Sequence, residues 1–142
     1  HRRYQSWSAY GSSKLADLML AYELQRRLTL AGSPVRSYAA HPGYAQTDLQ
    51  RHASWMALPI ARQAQSMLRM AQDAESGAWP LLYAATSPDL PPGCYVGPSG
   101  RGELTGPPRI VGSSAASHDR ETQRALWSLC EALSGVKAGL PG

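Results

Sequence analysis

The chain has 142 residues, with 14 Lys and Arg against 10 Asp and Glu and a formal net charge of +4, which fits one domain rather than two. Charged residues make up 17% of it, below the roughly 25% usual for soluble domains, and no apolar run approaches the length of a membrane span. No basic start followed by an apolar stretch is present, so no signal peptide is expected, and the two cysteines form neither a zinc nor a disulfide pattern. Cys94 and Cys130 read as small buried residues of a reducing compartment, and a cytoplasmic location is the expectation.

Residues 9–31 read as a long helix. Leu15, Leu18, Met19 and Tyr22 form one apolar stripe, and Ala21, Leu24, Leu28 and Ala31 form a second. Two stripes imply burial on more than one side, and Gly32 and Pro34 supply the stop. Residues 35–40 follow as a strand candidate, closed by a turn at His41-Pro42-Gly43. Residues 48–72 carry Trp55, Met56, Leu58, Ile60, Met67, Leu68 and Met70 around Pro59. They read as two short amphipathic helices, either a surface pair or a cover over an apolar pocket. A helix is expected over 76–86, with Pro80 in its first turn or at a kink. A strand is expected at 94–96, then a Gly/Pro-rich loop over 97–114. A last helix should run from Asp119 to Ser134 with Gly135 as its stop, and 136–142 should fray.

The β-branched aliphatic residues are few: Val35, Ile60, Val96, Ile110, Val111 and Val136, with no Phe. A parallel sheet covered on both faces draws on continuous Val/Ile-rich strands. If the fold is α/β, most of its sheet lies outside these residues.

Gly97, Gly100 and Gly102 do not have the order of a phosphate-cradling loop, and no nucleophile elbow or zincin motif occurs. His1, His41, His52 and His118 lack metal-ligand spacing, so no metal is expected. The pair that carries chemistry is Tyr10 and Lys14, at i and i+4 on one helix face. An ammonium beside a phenol favours the phenolate, which suits a tyrosine that exchanges a proton with a substrate oxygen. Taken alone, a solvated Tyr/Lys pair competes with this reading. The run His41-Pro42-Gly43-Tyr44-Ala45-Gln46-Thr47, directly after the strand candidate, shifts the balance.

With these two motifs the chain resembles the C-terminal half of a short-chain dehydrogenase/reductase, in its retinol-dehydrogenase-like branch. In that family a Tyr-x-x-x-Lys helix is followed by a strand and a Pro-Gly-x-x-x-Thr turn at the nicotinamide end of NAD(P). The resemblance implies an α/β fold, the C-terminal part of a doubly wound Rossmann-type parallel sheet domain spanning residues 1–142. It implies Tyr10 as proton donor or acceptor. Lys14 would tune it and hold the nicotinamide ribose, while Pro42, Gly43, Ala45 and Thr47 would meet the carboxamide end of NAD(P). Residues 48–72 would cover a lipophilic alcohol or carbonyl substrate. The dinucleotide loop and the active-site Ser and Asn of the family precede its tyrosine, so the missing N-terminal half of the domain is expected as a partner, along with a second copy in a homo-oligomer. The competing reading is a basic binding module for an acidic partner. The arginines are scattered, with no stripe interleaved with aromatics, so nucleic acid is not expected.

Overall fold

The computed structural model describes residues 5–43 and 73–141. By its internal contacts the chain divides into two compact units, one made of His1–Ala39, Pro91–Gly93 and Gly112–Gly142, the other of Ala40–Leu90 and Cys94–Val111. The 48–72 segment, expected as helices and a substrate cover, lies outside the described residues.

The first unit is built on helix α1, Ser6–Leu30, which starts three residues before the expected position. The Ala31 N–H closes it onto the Arg27 carbonyl, and Gly32, at φ +62, turns the chain away. Met19 and Leu28 are buried, one from each stripe. Between them sits what the stripes did not announce, a wholly buried Glu23. Its Oε1 accepts from Arg27 Nε at 2.7 Å and from Arg26 Nη2 at 2.6 Å, and its Oε2 accepts from Arg26 Nε at 2.7 Å. Two guanidiniums supply the donors that make a buried carboxylate tolerable.

Helix α1 packs against a single 3-10 turn, Ala115–His118, and against helix α3, Arg120–Ser134. The Arg27 guanidinium lies 4.7 Å from the Trp127 ring centroid, a cation–π contact that ties α1 to α3. The Tyr22 ring stacks on His118 at 5.0 Å, and its hydroxyl bonds Ser113 Oγ at 2.9 Å. Helix α3 has the limits the sequence implies. Asp119 caps it by accepting from the Glu121 and Thr122 N–H groups, and Gly135 ends it at φ +71. The tail after Gly135 forms no helix or strand through Pro141, yet it is tied back. The Ala138 N–H donates to Glu131 Oε1 at 3.1 Å, and Lys137 Nζ lies 3.6 Å from the same carboxylate.

In the second unit, helix α2 spans Ala74–Thr86, with Asp73 accepting from the Ser76 N–H at 2.7 Å as its cap. Pro80 stands deeper than the first turn and is buried. It removes one donor from the helix ladder, and its ring joins Gly77 and Ala84 on the small-residue face. That helix packs on strands β2, Tyr95–Pro98, and β3, Pro108–Val111. With β1, Ala39–Ala40, they form a mixed sheet in the order β1-β2-β3.

Two expectations need correction. The first strand keeps only its last two residues. Upstream, the Ser37 N–H donates to Gln25 Oε1 at 2.7 Å, its hydroxyl donates to the Ala21 carbonyl at 3.0 Å, and its carbonyl accepts from the Gly93 N–H at 3.0 Å. With its N–H and carbonyl committed to the Gln25 side chain and Gly93, Ser37 has no backbone group left for a strand ladder. The second correction concerns residues 97–114, expected as plain loop. They contain β3, antiparallel to β2 with Tyr95 opposite Val111, Val96 opposite Ile110, Gly97 opposite Arg109 and Pro98 opposite Pro108. The sheet is therefore not wholly parallel. Prolines face each other at one end of this ladder, a place where a missing donor is tolerated.

Candidate functional site

Tyr10 and Lys14 lie in the second and third turns of α1 and share one helix face, as residues four apart do. Tyr10 is 47% exposed. The Ser13 hydroxyl donates to the Tyr10 carbonyl at 2.8 Å, an added tie in this turn. Lys14 Nζ donates to Asp17 Oδ2 at 2.7 Å on an open surface. The Asp17 hydrogen bond and its charge hold the Lys14 ammonium above the usual lysine range, and attraction to Tyr10 adds to the same effect. Lys14 therefore stays charged across the neutral range. Asp17 was not singled out from the sequence. Its signal was there in the i, i+3 spacing from Lys14.

Pro42 and Gly43 belong to the second unit and are placed by the sheet. The His41 N–H donates to the Val96 carbonyl at 2.9 Å, which sets the chain just before the turn. Gly43 has φ +68, and a Cβ there would run into the Leu104 carbonyl oxygen and lie 2.7 Å from Pro98 Cγ. Glycine is required at this position for both reasons. Ala45 and Thr47 lie outside the described residues. Tyr10 with Lys14, and Pro42 with Gly43, thus form two local groups, each fixed within its own unit.

The contacts of His41 in that turn, and Glu103 beside it, have no local signal in the sequence. His41 Nδ1 accepts from the Gly43 N–H at 3.2 Å. Glu103, whose carboxylate is 3.3 Å from His41 Nε2, comes from the 3-10 turn Arg101–Glu103. Of the arginines that suggested an acidic partner, Arg26 and Arg27 are committed to Glu23 inside the first unit. Among the described residues, no three of His, Cys, Asp and Glu gather as a metal site would require. No described helix is long and apolar enough to cross a membrane.

No family model matches the chain. Polyprenol dehydrogenase of Mus musculus is 38% identical to it over 138 residues, covering 96% of this chain and 38% of the relative. A short chain dehydrogenase/reductase of Colletotrichum higginsianum is 32% identical over 123 residues, covering 87% of this chain and 29% of the relative. The chain belongs to the short-chain dehydrogenase/reductase family. Retinol dehydrogenases are among its other relatives. The crystal structure of an uncharacterized protein from Mycobacterium Paratuberculosis superposes with a TM-score of 0.69 at 42% identity, covering 96% of this chain and 42% of that one. In this short-chain dehydrogenase/reductase the helices and sheet are part of a Rossmann-type α/β fold. The chain spans well under half the length of the curated relatives it matches.

Proposed function

We propose that the chain supplies the proton-transfer pair and the nicotinamide-side turn of an NAD(P)-dependent oxidoreductase that interconverts a lipophilic alcohol and its carbonyl compound. The observation that carries this reading is the Tyr10–Lys14 pair on one face of α1, in a chain whose relatives are named dehydrogenases. The lipophilic substrate is favoured by the polyprenol of the mouse relative's name, a long isoprenoid alcohol.

The residues present suit a nicotinamide nucleotide. An ammonium has three donors and Asp17 takes one from Lys14, which leaves donors for ribose hydroxyls. Gly43, with no room for a side chain, lets the turn lie directly on the Leu104 carbonyl and the Pro98 ring, which fixes where its backbone stands. When bound, the nicotinamide ring supplies or takes up the hydride. Tyr10 gives its phenolic proton to the carbonyl oxygen in reduction and takes the hydroxyl proton in oxidation. Lys14 favours the phenolate form by its charge and holds the ribose. Pro42, Gly43, Ala45 and Thr47 meet the carboxamide end.

The test uses the full-length protein that carries this chain, with a long isoprenoid alcohol and NAD or NADP. Turnover is followed by the ultraviolet absorbance of the reduced nicotinamide. Tyr10→Phe should lower kcat by about 100-fold or more, the usual share of general acid–base catalysis, with cofactor affinity nearly unchanged. Retention of turnover within a few-fold of the parent would refute the assignment.

A further inference from the structure

The Pro42–Gly43 turn is held by one side chain for which the reading above has no use. The Gly43 N–H donates to His41 Nδ1 at 3.2 Å. A backbone N–H needs a lone pair to point at, so Nδ1 is the unprotonated nitrogen and the ring proton sits on Nε2. Nε2 is buried and makes no well-aligned hydrogen bond. Its acidic neighbour is Glu103 Oε2, 3.3 Å away.

The ring has little freedom to turn. It lies against the backbone of Gly97, where any Cβ would collide with Nε2 and stand 2.7 Å from Cδ2 and 2.9 Å from Cε1. The Tyr95 ring is tilted against it with centroids 5.1 Å apart. Glu103, at φ +57, is the only described residue other than glycine with a left-handed backbone, a conformation that costs energy and persists only where its surroundings demand it. Gly97 and Tyr95 on β2, and Glu103 after Gly102, therefore fix the imidazole from three sides.

We infer that His41 is a positioning residue for the Pro42–Gly43 turn, holding the Gly43 N–H on Nδ1 while Gly97, Tyr95 and Glu103 hold the ring. The inference rests on the proposed role of that turn at the nicotinamide. A Gly43 N–H satisfied within the turn fixes the direction in which the chain leaves it. A freed N–H lets the turn sample other directions, and the cofactor then pays an ordering cost when it binds.

The experiment uses the full-length protein and reads two things. Two-bond proton–nitrogen correlation of the His41 ring should show Nδ1 unprotonated and Nε2 protonated. Calorimetric NAD and NADP binding should weaken about fivefold in His41→Leu, the scale of one net hydrogen bond. His41→Asn should recover most of it, because an Asn side-chain oxygen accepts the N–H two residues on, as in an Asx-turn. Gly97→Ala, which displaces the ring while residue 41 remains a histidine, should match His41→Leu. The inference is overturned if Nδ1 carries the proton, if His41→Leu binds like the parent, or if His41→Asn is no better than His41→Leu. A parent that binds neither NAD nor NADP overturns the dehydrogenase reading, and the cofactor clause of this inference with it. A protonated Nδ1 in a parent that binds cofactor overturns the inference alone.

Discussion

Replacing Glu23 by Ala tests how the helix that carries Tyr10 and Lys14 is anchored. The carboxylate has no exposed surface and accepts from two guanidiniums through three contacts of 2.6 to 2.7 Å. Its removal leaves Arg26 and Arg27 side by side without their counter-ion. Arg27 is itself buried and held over Trp127, so it cannot recover full hydration. Breaking a buried pair by deleting one partner costs about 3–5 kcal/mol. Arg26 keeps 19% of its side chain exposed and can turn to water, which places the expectation near the lower end, about 3 kcal/mol. Urea denaturation of the full-length protein should show a lower midpoint with an unchanged slope. The acid limb of stability gives a second reading. The Arg26 hydrogen bond, helped by Arg27 and opposed by burial, holds the Glu23 carboxyl below the usual range. A lowered folded-state value means the stabilisation is complete above the unfolded Glu value of about 4.3 and is lost as pH falls through the folded value. Glu23→Gln should remove that part of the acid dependence. A loss of less than about 1 kcal/mol in Glu23→Ala, the size of an average substitution, would refute the reasoning.

Asp17→Asn should bring the Lys14 ammonium down toward the ordinary lysine range, because Asp17 is the main cause of its upward displacement; nitrogen-detected titration of the Lys14 side chain checks this. Gly43→Ala and Gly135→Ala separate two costs of replacing a left-handed glycine. At Gly135 nothing lies within 4 Å of a built Cβ, so denaturation should show only the conformational cost of about 1 kcal/mol. At Gly43 the Leu104 carbonyl and Pro98 ring stand in the way, and the loss should exceed that of Gly135→Ala by about 1 kcal/mol or more.

The parts of this protein that depend on neighbours in sequence were legible in it. Helix α1 follows from the 3.6-residue recurrence of Leu15, Leu18, Met19 and Tyr22, and α3 from Asp119 at its start and Gly135 at its end. The Tyr10–Lys14 spacing and the Pro42-Gly43 turn were equally local signals, and the family to which they pointed is the one the relatives share. Tertiary structure decided what local pattern could not. Residues 35–38 have a strand's composition, but the Gln25 side chain and Gly93 take the Ser37 backbone groups first. Residues 108–111 carry no alternation, yet pair with β2 because a backbone ladder asks only for free N–H and C=O groups in register. Glu23 reads as one polar residue between two stripes until Arg26 and Arg27 fold onto it. His41 and Glu103 meet although they are far apart in the chain, and what lets the ring reach its place is an absence of side chain at Gly97. Periodicity reports which face of an element is apolar. Only the packed structure reports which polar groups are left to find one another.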